Sequence, residues 1–232
     1  MNIYSLKNKK MKQTIFITGA STGLGKAAAL LFAEKGWNVI ATMRRPEDGT
    51  DLTQQGITVL PLDVTDPGQI REAVQKALAT GDVDVVFNNA GYGLAGPLEG
   101  TGDEQLVRQV NTNLLGVVRV TQAFIPYFRE KKSGLFITTT SIGGLVTFPF
   151  NSLYHATKWA LEGWSESMAF ELSRFGIGIK TVSPGGIHTD FISRSLVIAS
   201  HEAYDEAMQK VMNALPTRNG AGLIPLRSRS PG

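Results

Sequence analysis

The 232-residue sequence predicts an α/β fold built on a doubly wound parallel sheet. Three observations carry that prediction. Six short runs rich in β-branched and aromatic residues, at about 13–18, 37–42, 57–62, 83–88, 134–140 and 177–182, alternate with helical patterns. Several runs are apolar with little polar alternation, as expected of parallel strands covered on both faces. Alternation of this kind implies right-handed βαβ units, and the length suits one domain with a substantial core.

Taken in order, the first run, Gln13–Thr18, passes directly into Gly19-Ala20-Ser21-Thr22-Gly23-Leu24-Gly25 and then into the helical pattern Lys26–Lys35. A strand, a glycine turn and a helix start place backbone N–H groups against a pyrophosphate. Gly19 and Gly23 allow the tight turn and close backbone approach, and Gly25 close helix–strand packing. The second run ends in Met43-Arg44-Arg45. Met43 offers a ribose diol no acceptor, whereas a guanidinium binds phosphate through charge-assisted bonds. Two solvated loop arginines are the plainer reading. Asp63-Val64 follows the third run, and Asp66, before Pro67, is placed to cap the next helix. Asn88-Asn89-Ala90-Gly91 ends the fourth run, a long helix is expected at about 103–131, and Ser141 closes the fifth run. A second long helix, at about 153–175, opens on Tyr154-His155-Ala156-Thr157-Lys158.

Tyr154 and Lys158 are the most informative pair. A free phenol titrates near pH ~10, too high to exchange protons readily at neutral pH. Residues at i and i+4 share a helix face, so the Lys158 ammonium can lie near the Tyr154 oxygen. At ~4–5 Å and an effective dielectric near 20, one positive charge favours phenolate by roughly 3–4 kcal/mol. The expectation is a Tyr154 pKa drawn down towards working pH.

Thr18-Gly19-x3-Gly23-x-Gly25, Asn88-Asn89-Ala90-Gly91, Asn113-Leu114-Leu115-Gly116, Ser141, Tyr154-x3-Lys158 and Pro184-Gly185 stand in the order and rough spacing of the short-chain dehydrogenase/reductase family. The chain resembles that family over about residues 13–215, and its wording from Ser141 to Phe191 looks closest to the hydroxysteroid and retinol dehydrogenase branch. The resemblance implies a Rossmann-type domain and an oxidoreductase acting on CH–OH groups. It makes Tyr154 the proton donor and acceptor, with Ser141 holding the substrate oxygen. Lys158 tunes Tyr154 and binds ribose, and Asn113, in its Asn-x-x-Gly pattern, supports a proton relay. Cofactor contacts are implied for Gly19, Ser21, Thr22, Gly23, Leu24, Gly25, Arg44, Asp63, Val64, Asn89, Ala90, Gly91, Tyr154, Lys158, Pro184, Gly185, Ile187 and Thr189. Arg44 points to NADP(H), with NAD(H) as second choice. A small hydrophobic carbonyl or alcohol is the implied substrate, suited by Phe148-Pro149-Phe150 and by Phe191, Ile192, Leu196, Val197, Tyr204, Met208 and Met212. Ordinary core packing explains each of these residues equally well.

Composition excludes several other classes. The net charge of +3 comes from the ends: residues 1–12 hold four lysines and no acid, and three arginines fall in the last 17 residues. The stretch 13–215 is therefore acidic, against a nucleic-acid surface. There are no cysteines, and His155 and His188 have no metal-ligand partners in sequence, so no metal site is expected. No apolar run could span a bilayer and residues 1–12 lack a signal-peptide core, so a cytoplasmic protein is expected. The expected organisation is a basic extension at 1–12, one domain at 13–215 and an irregular tail at 216–232, in which Leu223-Ile224 before Pro225 makes no convincing seventh strand. Family tetramers often use elements absent from such a tail, which puts tetramerisation in question. The two long helices could form a homodimer through Trp159, Trp164, Met168, Leu172 and Phe175, with core packing competing. A rival to the enzyme is a dinucleotide-binding sensor or scaffold without turnover.

Overall fold

The computed structural model describes residues 12–185 and 195–214. Its centre is a six-stranded, wholly parallel sheet of β1 (Thr14–Thr18), β2 (Asn38–Met43), β3 (Thr58–Pro61), β4 (Val85–Asn88), β6 (Gly134–Thr139) and β7 (Ile177–Val182), in the order β3-β2-β1-β4-β6-β7. The six strands match the six expected runs to within two residues at each end. The chain runs outward from β1 to β3, then crosses back to β4 on the other side of β1. This reversal opens a crevice at the strand carboxyl ends, where ligands bind in such sheets.

Strand side chains alternate between two cores, as period-two geometry requires. Phe16, Ile40, Val86 and Phe136 pack on one face with α3 (Pro67–Ala79) and α5 (Gly116–Lys131). Ile15, Ile17, Val39, Ala41, Val85 and Phe87 pack on the other, beneath α1 (Gly23–Glu34) and the short α2 (Thr50–Thr53). Phe16 meets Phe124, and Phe128 meets Phe136, in edge-on contacts with centroids 5.0 and 5.1 Å apart. Burying both faces of every central strand is what makes these runs read as continuously apolar.

The first expected long helix is divided. α4 (Asp103–Val110) continues through a π turn at Asn111–Leu115, where Gly116 N–H donates to Asn111 O, into α5. Single π turns widen a helix and re-aim its side chains. Asn113 lies on this turn, 1% exposed. The second long helix, α6 (Ser152–Ser173), is continuous. Leu172 is buried, and Trp164, Met168 and Phe175 pack against the core, whereas Trp159 is 50% and Phe170 79% exposed.

Leu196 and Val197 belong to β8 (Leu196–Ile198), which pairs in parallel with β5 (Gly93–Ala95) in a separate two-stranded sheet. Helix α7 (Asp205–Ala214) follows, with Met208 buried. The expectations for Phe191, Ile192 and the segment 216–232 lie outside the described residues. Among the described residues no helix is long and apolar enough to cross a membrane, and no group of three or more potential metal ligands gathers.

Candidate active site

The glycine turn begins where β1 ends. Gly19 and Gly23 take left-handed backbone conformations, φ +67° and +57°. A methyl group on Gly19 would sit 2.7 Å from the Ala90 Cα, so β1 and the Asn89–Gly91 strand end approach as only glycine permits. Gly25 is similarly wedged against Gly19 O and the Asn89 amide, whereas nothing lies within 4 Å of the equivalent position on Gly23. The start of α1 is also open. Its N-cap Thr22 makes no side-chain capping bond, and its first turn contains no acid. Free helix N–H groups, a positive dipole end and open space at Gly23 fit an anionic diphosphate. Lys26 is paired with Asp51 at 2.7 Å and Arg45 with Asp48 at 2.9 Å, while exposed Arg44 has no ion pair among the described residues.

The strand ends are tied together across this crevice. Thr18 Oγ1 accepts the Asn89 and Ala90 N–H groups, both at 3.0 Å. Asn89 Nδ2 donates to Thr18 O and Gly19 O, and its Oδ1 accepts from Thr139. The Asn89 side chain is thus a tie between β1, β4 and β6, leaving backbone as the part that borders the crevice. Asp63 turns its carboxylate onto Thr65 N–H and hydroxyl, and buried Val64 packs against Gly116. Asp66 caps α3 through Gly68 N–H and Gln69 N–H, as Asp-Pro at a helix start suggests.

Ser141 lies just past β6, and Tyr154 and Lys158 one turn apart near the start of α6. Ser141 Oγ accepts from Gly143 N–H at 3.0 Å and is hydrogen-bonded to Tyr154. The structure thus brings together residues thirteen apart in sequence. Burial raises the Tyr154 pKa above the ordinary phenol value, and the Ser141 bond works against that rise. The net direction is upward, opposite to the expectation from the Lys158 charge alone. The reason is the burial of the phenol itself. Lys158 is enclosed as well, and burial brings its pKa down to about 8, partly offset by the Glu162 charge. Its Nζ donates to Thr139 O at 2.8 Å and stands 5.8 Å from the Tyr154 ring centroid.

Asn113 clasps the backbone of Tyr92, its Oδ1 accepting Tyr92 N–H at 3.0 Å and its Nδ2 donating to Tyr92 O at 2.8 Å. Its amide is therefore engaged in holding the segment after Gly91. Buried Gln109 adds a bond to the same carbonyl. Pro184 lies beside the Ser141 turn, its carbonyl accepting Ile142 N–H at 2.9 Å, with Gly185 next to it. Ile187 and Thr189 lie outside the described residues. Sequence reasoning missed Thr18 as a two-way acceptor, Thr139 as the Lys158 partner, and Gln109. Thr18 had a signal, its place before the first glycine; the other two contacts arise only from the packing of distant elements.

The profile of the short chain dehydrogenase family matches residues 13–196. The chain is 35% identical to 3-ketodihydrosphingosine reductase of Bacteroides thetaiotaomicron over 92% of its own length and 79% of that protein's. It is 36% identical to human 17-beta-hydroxysteroid dehydrogenase type 1, over 80% of this chain and 60% of that one. Among solved structures, ElxO with NADP bound superposes with a TM-score of 0.75 at 30% identity, covering 87% of this chain and 83% of the other. On the strength of that match and of the crevice geometry, this chain belongs to the short-chain dehydrogenase family, oxidoreductases that interconvert alcohols and carbonyls.

Proposed function

We propose that the chain is an NADP(H)-dependent oxidoreductase acting on an apolar ketone, aldehyde or secondary alcohol. The observation that carries this reading is the hydrogen-bonded Ser141–Tyr154 pair beside buried Lys158, on the same sheet edge as the open turn at Gly23. In this reading the glycine turn and the α1 N-terminus hold the diphosphate, with Ser21, Thr22 and Leu24 around it. Arg44 binds the 2′-phosphate, and Asp63 and Val64 border the adenine. Asn89, Ala90 and Gly91 border a ribose, Lys158 binds the nicotinamide ribose hydroxyls, and Pro184 and Gly185 meet the carboxamide. When bound, the nicotinamide supplies or accepts hydride.

The residues of the chain manage the proton. Ser141 Oγ and Tyr154 Oη both donate to the substrate oxygen, so negative charge developing there during reduction meets two donors. Tyr154 hands over its proton, and Lys158, whose pKa lies near 8, restores it. Asn113 holds the Tyr92 segment that borders the site. Exposed Ile142, Leu145, Val146 and Phe148 follow Ser141 and favour an apolar substrate over a charged one.

A dinucleotide-binding sensor without turnover is favoured by one feature, the engagement of the Lys158 ammonium by Thr139 O. The deciding experiment is a fluorescence titration with NADPH and NADH, in wild type and Arg44→Ala, followed by a carbonyl screen with Tyr154→Phe as control. Tighter NADPH binding that Arg44→Ala weakens about five- to tenfold supports the 2′-phosphate contact. Carbonyl reduction lost in Tyr154→Phe excludes the sensor. No binding of either nucleotide overturns the proposal.

A further inference from the structure

His155 stands inside the Tyr154–Lys158 turn, and neither proton transfer nor cofactor binding uses it. Its imidazole is 5% exposed and bonded at both nitrogens. Nδ1 lies 2.6 Å from Gly143 O, and Nε2 lies 2.8 Å from Phe148 N. A carbonyl oxygen can only accept and a backbone amide can only donate. The two bonds therefore admit one protonation state, a neutral ring with its hydrogen on Nδ1.

Each bond leads to a different part of the site. Gly143 is also the residue whose N–H donates to Ser141 Oγ, so the Nδ1 bond holds the turn that aims the serine. The approach leaves no slack, since a methyl group on Gly143 would stand 2.9 Å from Nδ1. Phe148 belongs to the exposed apolar segment after Ser141, and its ring is 44% exposed and 5.6 Å from the imidazole. Two residues on, Phe150 takes a left-handed backbone (φ +59°), and its carbonyl accepts Gly96 N–H at 2.7 Å. The loop is pinned by His155 at one point and by the edge of the β5–β8 sheet at the other.

We propose that His155 is a positioning residue with two separable tasks: its Nδ1–H sets the Ser141 turn, and its Nε2 sets the Phe148 loop against which an apolar substrate lies. The catalytic part of the inference rests on the function proposed above.

Two substitutions divide the tasks, because Asn places a donor near the Nδ1 position and Gln an acceptor near Nε2. With 9,10-phenanthrenequinone and NADPH, His155→Asn is expected to raise KM about tenfold with kcat within about twofold of wild type. His155→Gln is expected to lower kcat about tenfold with the smaller change in KM. His155→Leu should show both losses, and circular dichroism should show all three variants folded. Equal kcat and KM in Asn, Gln and wild type overturns the proposal. So does a loss in all three that follows only the unfolded fraction, the result of a purely structural role.

The tautomer is read independently of activity by two-bond ¹H–¹⁵N correlation of the wild-type imidazoles. The chain has three histidines, and the His155→Gln spectrum assigns the signal. An Nδ1–H resonance with an accepting Nε2 is expected, and an Nε2–H form overturns the proposal. A wild type that binds NADPH yet reduces no carbonyl would count against the function alone, leaving the tautomer to decide the geometry.

Discussion

The glycine turn before α1 and the corner formed by Ser141, Tyr154 and Lys158 lie on one sheet edge but treat their polar groups in opposite ways. The turn leaves donors open: Thr22 makes no side-chain cap, no acid occupies the first turn, and Gly23 borders empty space. The helix start after β3 shows what closure would look like, since there Asp66 takes up two N–H groups. The corner instead engages its groups with one another and with backbone. Ser141 is bonded to Gly143 and Tyr154, Lys158 to Thr139, Asn113 to Tyr92, and His155 to Gly143 and Phe148. An open helix end can accept an anion without rearrangement, because its N–H groups are already aligned. A bonded corner holds its side chains in position before any substrate arrives, which is where much of the rate of a positioned reaction originates.

The largest expected effect separates the two regions outright. Tyr154→Phe should lower turnover of any reducible carbonyl by about 10²–10⁴-fold while leaving NADPH binding within about threefold. Retained turnover would remove Tyr154 from the chemistry, and lost nucleotide binding would show the two regions to be coupled.

Next comes the cost of enclosing a cation in the corner. Lys158 has a native pKa of about 8 against 10.5 for a freely solvated lysine, so above pH 8 the unfolded chain binds more protons than the folded one. Stability should therefore rise with pH between about 8 and 10.5, at up to about 1.4 kcal/mol per pH unit from this group. Urea denaturation at pH 7 and 9.5 should show a gain of about 2 kcal/mol from this group, absent in Lys158→Met. The same gain in both proteins would mean that the ammonium is better solvated than its burial implies.

A smaller effect probes the open turn. Gly23→Val puts a branched side chain at φ +57°, a conformation costing L-residues about 1–2 kcal/mol. NADPH binding measured by nicotinamide fluorescence should weaken about tenfold as the turn relaxes away from that geometry. Unchanged affinity would place the diphosphate elsewhere. The smallest change sharpens the contrast between helix starts. Asp66→Ala, at the closed start of α3, should lower the thermal midpoint by a few degrees and leave NADPH affinity unaltered. An altered affinity would mean that α3 is part of the nucleotide site.

Much of this was legible in sequence for identifiable reasons. The six main strands declared themselves because runs such as Thr14–Thr18 and Ile177–Val182 are bounded by turns and buried on both faces. Asp66 was readable as a cap because capping is local, decided within three residues. The β5 and β8 strands were not readable: three residues show no period, and Gly93 finds its partner Leu196 only when the chain has folded back. The π turn at Asn111–Leu115 was hidden for a related reason, since one π turn leaves the helical pattern of side chains almost unchanged.

The sequence by itself determined the succession of the sheet's elements, the glycine turn, and the shared helix face of Tyr154 and Lys158, because periodicity and short-range spacing encode them. The place of Ser141 beside them was implied by the family resemblance. Tertiary structure alone decided how those groups are charged and held. Spacing placed Lys158 on the Tyr154 face and predicted a lowered phenol pKa, yet burial raised the phenol and lowered the lysine. Packing likewise made His155 a bridge between the Ser141 turn and the Phe148 loop. Desolvation and long-range hydrogen bonds depend on what packs around a residue from other elements, and no local pattern carries that information.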